Sequence, residues 1–387
     1  MNGYLASQDA WRGRFWLPGQ PDQDQRGNLT YSPEKGLRLT LIGGFDDAVW
    51  LPGAGSTRVM SARSREWRVI HGVVGRKPVT LLDCVASRST SYWIGGEISE
   101  QEIRVSKALL GVLLDEPDGQ LFSGVTIELE NLTEWDYRPE VVFEIQHGED
   151  IPRSARWSIA VDPVDPLTVT VGDLVVELGR WYRMPSHDVL RGRLEASTFA
   201  VSYLTVRSSE PRSVDEWVET AQVFQDLITL AMDAPCAVLK EALIPTDELR
   251  DDKESSAREI AVYAKHIVNG DPDAPGVRGG DALFTLGVGG VDFAALVPRW
   301  FEVREQFRAT CDMILSLIYV PGGYLQTQLI TAVAAAEAMH EPLKLDPPIP
   351  DDEFKALKKA LLEIVPANRR QWLREKLGRN TQLSVSG

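Results

Sequence analysis

Histidine, cysteine and basic residues are scarce in this 387-residue chain, and each shortage narrows what it can be. The three cysteines, Cys84, Cys236 and Cys311, lie far apart without paired spacing. That excludes a disulfide framework or zinc knuckle and fits a reducing cytoplasm, where lone thiols serve as small buried hydrophobes. The five histidines, His71, His147, His187, His266 and His340, are scattered, with no metal-ligand spacing. No metal or cofactor is expected. Lysine and arginine number 41 against 56 acidic residues, giving a net charge of −15. Such a surface repels phosphate backbones at a distance, which excludes general nucleic-acid binding by the whole chain. No uncharged apolar run of membrane-spanning length occurs, so no membrane partner is expected. The opening "MNGYLASQDAWRGRFW" lacks the basic-then-apolar layout of a secretory leader. Walker, G-x-S-x-G and H-E-x-x-H signatures are missing as well. "GVGG" at Gly287–Gly290 has no following Lys-Ser/Thr and reads as a loop.

What the chain does contain is patterned. In "GLRLTLIGGF", Leu37, Leu39 and Leu41 alternate with Arg38 and Thr40, the period-two signature of a half-buried strand. "KPVTLLDCVA", "GVTIELENL" and "TFAVSYLTV" behave similarly, and "LTVTVGDLVVEL" predicts two strands joined by a Gly172-Asp173 hairpin loop. "FWLPGQPDQDQRGNLTY" predicts an aromatic-anchored turn leading a strand, with Phe15 and Trp16 burying apolar area. Exposure of Trp16 or Trp50 would instead favour a ligand-sensing surface. Past Pro211 the period changes. Ser213 and Glu216 form a capping box, and Trp217, Ala221, Phe224, Ile228 and Ala231 recur at helical spacing. Further helices are predicted over Pro298–Val320, Tyr324–His340, Asp352–Val365 and Arg369–Leu377. The expected fold is α+β and multidomain: an antiparallel β-sandwich-like domain over 1–210 and an α-helical bundle over 211–387.

Three constellations could carry chemistry. Arg183 and His187 form an Arg-x3-His pair, but Pro185 between them forbids one regular helix face, and a structural role is expected. In "YLQTQLITAVAAAEAMH" the middle is apolar nearly all round, which predicts a helix packed inside a bundle. Glu337 and His340 interrupt it at i, i+3, on one face. Buried there, Glu337 would need a partner, either as an internal ion pair or as support for an active site. The segment "FKALKKALLEIVPANRRQWLREKLGR" gathers Lys355, Lys358, Lys359, Arg369, Arg370 and Arg374. It is the one place an RNA backbone would be attracted; a solvated helix face is the alternative.

In order and spacing, the stretches "GRFWLPGQPDQDQRGNLTYSPEKGLRLTLIGGF", "VTLLDC", "ALLGVLL", "LENLTEWDY", "FQDLITLAM" and "RWFEVREQF" leading into "LITAVAAAEAMHEPL" resemble the ApeA-type anti-phage proteins. The resemblance covers nearly the whole chain. It implies a β-rich N-terminal domain followed by a dimerising HEPN domain, a helical bundle carrying a metal-independent ribonuclease site. It also implies a cytoplasmic homodimer that cuts RNA, tRNA included, in abortive infection, with a phage-derived trigger acting on the β-rich part. In that family an Arg-x4-6-His motif on a late helix stabilises the scissile phosphate and transfers protons as a ribose 2′-hydroxyl attacks. Glu337 falls where such domains carry a Glu upstream of the motif. Here "RNTQLSVSG" after Gly378 holds no histidine. The expectation is a chain stopping short of its catalytic helix; the alternative is a natural variant without nuclease chemistry. Two other functions stay open: a non-catalytic sensor that dimerises through its helices, and a carbohydrate- or small-ligand-binding β-domain. Aromatics clustered on a solvent-facing concave surface would favour the last.

Overall fold

The computed structural model describes residues 5–45, 48–50, 58–60, 65–91, 98–138, 141–147, 155–190, 193–249, 259–270, 276–277, 279–287, 291–320, 322–343 and 351–377. In chain order these form β1 (Asp9–Trp16), β2 (Gln25–Ser32), β3 (Gly36–Ile42), β4 (Ala48–Trp50), β5 (Arg58–Met60), β6 (Glu66–Val74), β7 (Lys77–Ser91), β8 (Ile98–Leu110) and β9 (Phe122–Leu129). Then follow α1 (Leu132–Asp136), β10 (Val141–His147), β11 (Ala155–Val161), β12 (Leu167–Val171), β13 (Leu174–Leu190), β14 (Arg193–Arg212), α2 (Val214–Met232), β15 (Val238–Pro245) and β16 (Ile260–Ala264). The last helices are α3 (Phe293–Gln306), α4 (Arg308–Tyr319), α5 (Leu325–Leu343), α6 (Asp351–Ile364) and α7 (Arg370–Lys376). Among the described residues no helix is long and apolar enough to cross a membrane.

Two compact units divide the chain, Met1–Glu302 and Val303–Gly387. The first is built on a 12-stranded sheet in the order β12-β13-β14-β9-β15-β16-β8-β3-β2-β1-β6-β7, with β7 also paired to β8. That last pairing closes β8, β3, β2, β1, β6 and β7 into a six-stranded barrel. The expected sandwich is therefore a closed barrel continued by an open antiparallel sheet. Closure satisfies the edges that a sandwich would leave bare. Strand β8 is the branch point. One edge pairs with β7 from Ile98 to Leu110, while the other is shared by β3 (Glu100–Val105) and β16 (Lys107–Leu110).

The predicted alternation of Leu37, Leu39 and Leu41 is present, each buried. One register row, Trp11–Leu29–Leu39–Ile103–Ala86, crosses β1, β2, β3, β8 and β7 and is buried throughout. Phe15 is fully buried in the barrel. Its ring lies so close to Gly72 that a Cβ there would come within 2.5 Å of it. Trp16 points the other way, half-buried and edge-on to His71. The aromatic turn thus anchors the first strand, as expected. The side chain of Trp50 lies outside the described residues.

The predicted hairpin is also present: Val171 pairs with Leu174 around Gly172, whose φ of +60° suits a residue without Cβ. Ser213 caps α2 with Glu216 reaching back, and Trp217, Ala221, Phe224, Ile228 and Ala231 are all buried. The boundary expected near residue 211 falls instead between Glu302 and Val303. The reason is that α2 does not open a helical domain. The chain returns after it to the sheet, where β15 pairs with β9 and β16 joins β15 to β8. Trp217 donates to the Phe122 carbonyl (3.0 Å), and Trp300 of α3 donates to the Val223 carbonyl (2.8 Å), fastening both helices to this unit.

In the second unit, α4 packs against α5, and α6 against α7. The predicted helix 298–320 is two helices broken at Phe307. The expectation that α5 is enclosed on all sides does not hold: Leu329, Ile330 and Val333 are 63%, 69% and 44% exposed, and Glu337 is exposed with them. Of its residues, Ala335 is buried, on the narrow stripe facing α4.

Candidate functional site

Two of the three constellations picked from sequence, Glu337–His340 and the basic segment, lie in the second unit. Glu337 and His340 sit one turn apart on α5, Glu337 exposed and His340 half-buried, with no ion pair between them among the described residues. Glu337 therefore needs no buried partner, because water hydrates it. The basic residues lie on α6, α7 and the turn between them. Lys355, Lys359, Arg369, Arg370 and Arg374 are exposed and Lys358 is half-buried. Lys355 approaches Asp352 at 3.9 Å, and Arg370 donates to the Val365 carbonyl (2.9 Å), capping the end of α6. The contacts between α6, the turn and α7 bring these cations near one another, and no contact of Glu337 or His340 with them is found among the described residues. Arg183 and the backbone of His187 lie on strand β13, with a register shift between Arg183 and Ser186 where Pro185 breaks the ladder. No helix face is involved.

Sequence reasoning missed two buried polar clusters in the first unit. Asp136, at the end of α1, is fully buried and accepts hydrogen bonds from Arg180 Nε (2.6 Å), Ser202 Oγ (2.9 Å) and Arg138 Nη2 (3.0 Å). Arg180 also donates to the Arg138 carbonyl (2.7 Å). Every oxygen here is satisfied, so the cluster is a clamp that pins α1 to β13 and β14.

Glu241 is different. It occupies the register row Leu178–Leu204–Ile127–Glu241 on the face that α2 covers, is 1% exposed, and neither carboxylate oxygen has a hydrogen-bond partner. His266 Nε2 lies 3.9 Å away, likewise without a partner. Burial raises the Glu241 carboxyl to about 7, moderated by Lys107, and lowers His266 to about 4. In neutral solution His266 is therefore uncharged, while Glu241 stands near the midpoint of its titration. The cysteine expectation holds: all three are buried, and burial pushes the Cys236 thiol up to about 12, far from reactive thiolate.

The opposite face of the open sheet carries a groove of about 300 Å³. Thr126 and Thr205, directly paired across β9 and β14, lie on its floor. Tyr203, Glu128, Glu177 and Glu259 bring hydroxyl and carboxylate groups, Lys240 and Arg207 bring cations, and Trp181 forms an aromatic wall. Lys240 reaches Glu128 (3.4 Å) and Glu259 (3.5 Å). Tyr203 lies across Gly179, its cross-strand partner; a Cβ at 179 would sit 2.6 Å from the ring. Burial, then Glu177 and Glu259, raises the Tyr203 phenol, which stays a donor. Trp181 is 44% exposed and meets the 41% exposed Phe199 edge-on at 5.7 Å, with the Arg183 guanidinium over Phe199. Period-two alternation could have located this face, because Glu177, Trp181 and Arg183 occupy alternate positions with Gly179 between.

Among the described residues no group of three or more His, Cys, Asp or Glu side chains could hold a metal ion. No curated protein and no solved structure matches the chain significantly. Residues 10–300 match the family described as ApeA N-terminal domain 1, a span that lies within the first compact unit, Met1–Glu302. The chain accordingly belongs to the ApeA N-terminal domain 1 family, and that membership places it with anti-phage defence.

Proposed function

We propose that the protein defends against phage by RNA cleavage in an abortive-infection response, with the β-rich unit sensing or gating and the helical unit acting on RNA. The family match over residues 10–300 carries the defence role in this reading. The exposed cations Lys355, Lys359, Arg369, Arg370 and Arg374 support it, being concentrated on a chain of net charge −15. In this reading the helical unit is HEPN-like, pairs with a second copy in the cytoplasm, and takes tRNA or another RNA on its basic end. Glu337 and His340, both reachable from solvent, assist proton transfer. A phage component engages the β-rich unit.

The test is direct. The full-length gene product is incubated with total RNA from infected cells, and fragments ending in 2′,3′-cyclic phosphate are sought. Intact RNA across all trigger conditions would reject the ribonuclease and leave the non-catalytic sensor. Replacing Lys355, Lys359 and Arg369 by Glu should weaken RNA binding and flatten its salt dependence, since each lost phosphate contact removes about one unit from the log–log slope.

A further inference from the structure

We propose that the groove on the open face of the β9–β15 sheet region is a binding site for a neutral saccharide, one or two sugar rings stacked on Trp181. Its volume, about 300 Å³, stands at the small end of ligand sites. The wall and floor supply the two things a sugar presents surfaces for. The C–H face of a pyranose is apolar and packs on an exposed aromatic plane, and Trp181 is such a plane, held edge-on by Phe199. The hydroxyl rim needs donors and acceptors in alternation. Glu177 offers an acceptor, the Tyr203 phenol and Arg207 offer donors, and Thr126 and Thr205 offer both. The side chains of Glu177, Tyr203 and Arg207 make no hydrogen bond or ion pair to another described residue, so this capacity is open to a ligand.

Charge selects among ligand classes. Glu128, Glu177 and Glu259 face Lys240 and Arg207, and Lys240 is already shared by two of the carboxylates. A phosphate or uronate would meet the carboxylates, and a cationic peptide would meet the guanidinium and ammonium; each pays a like-charge penalty. A neutral polyol meets no such penalty and hydrogen-bonds to both signs. All the lining residues but Glu259, which immediately precedes β16, stand on β9, β13, β14 and β15, so the geometry is set by the sheet ladder. Gly179 completes it by letting the Tyr203 ring lie flat across β13.

The proposal is tested by passing the full chain over a printed array of neutral, sialylated and sulfated oligosaccharides, with an oligolysine spot included. Retention on neutral glycans is expected. The best of them is then titrated by calorimetry into wild type, Trp181→Ala, Trp181→Phe, Glu177→Gln and Thr205→Val. Affinity should fall at least tenfold in Trp181→Ala and Glu177→Gln, and less in Trp181→Phe, which keeps a ring. Matching circular dichroism and thermal midpoints exclude misfolding as the cause, as expected for a half-exposed tryptophan. Lys355→Glu in the other unit should leave glycan affinity unchanged, which separates this site from RNA binding. No retained neutral glycan, a preference for anionic glycans or oligolysine, or undiminished affinity in Trp181→Ala would each overturn the proposal.

Discussion

Asp136 carries no exposure and holds Arg180, itself 2% exposed at the side chain, through a 2.6 Å bond. Asp136→Ala strands that guanidinium without a counter-charge. The expected loss is about 3–5 kcal/mol, read as a lowered urea midpoint. Glu241 gives a pH signature instead. Its folded-state carboxyl titrates near 7 against an ordinary 4.5, so the folded protein binds the extra proton and stability falls as pH rises from about 4.5 to 7. Glu241→Gln lacks this term and should gain on wild type by roughly 3 kcal/mol across that window. His266 works the other way: its folded value near 4 lies below the ordinary 6.5, so its share of stability is lost as pH falls from 6.5 towards 4. Between 4.5 and 6.5 the two slopes oppose each other. None of this was legible in the sequence. Asp136 meets Arg180 across 44 positions and Glu241 meets His266 across 25, and no local period encodes such meetings.

Elements written by local rules were legible, and those defined by distant pairing were not. The β12–β13 hairpin follows from Gly172, and the start of α2 from Ser213 and Glu216. Ser213→Ala should cost about 1 kcal/mol, visible as a lower melting temperature, by freeing the first-turn amides. Strand β15 escaped because Lys240 and Glu241 break the apolar pattern of "LKEALIP", and β16 because "IAVYA" is a short apolar run, which periodicity cannot tell from helix. Closure of the barrel escaped for another reason: it depends on β1 meeting β6 and β7 meeting β8, which alternation alone does not specify. Gly72 sits at such a meeting, under Phe15. Gly72→Ala forces a methyl against a ring with nowhere to go, and a loss of about 1–3 kcal/mol is expected in denaturant titration. Helix α5 misled in the opposite sense, since an all-round apolar surface reads as enclosed whether the cover comes from the same unit or from elsewhere.

For the molecule as a whole, the open apolar side chains of the second unit set its behaviour in solution. Leu325, Leu329 and Ile330 on α5 are 75%, 63% and 69% exposed, and Trp372 on α7 is 59% exposed, more than scattered surface residues require. If the helical unit pairs with itself, sedimentation should report a dimer that dissociates on dilution, and Ile330→Asp should shift it to monomer. An unchanged mass in that variant would move the contact off α5.

Strand β8 has a consequence for how the first unit comes apart. Its Lys107–Leu110 stretch is flanked by β7 on one side and β16 on the other, and its Glu100–Val105 stretch by β7 and β3. Successive amides along β8 point alternately to its two neighbours, so losing one neighbour frees only every other amide. Complete deuterium uptake along β8 therefore requires losing the barrel pairing and the open-sheet pairing together, and uptake of its alternate amides at one common slow rate would mark the two parts as one foldon.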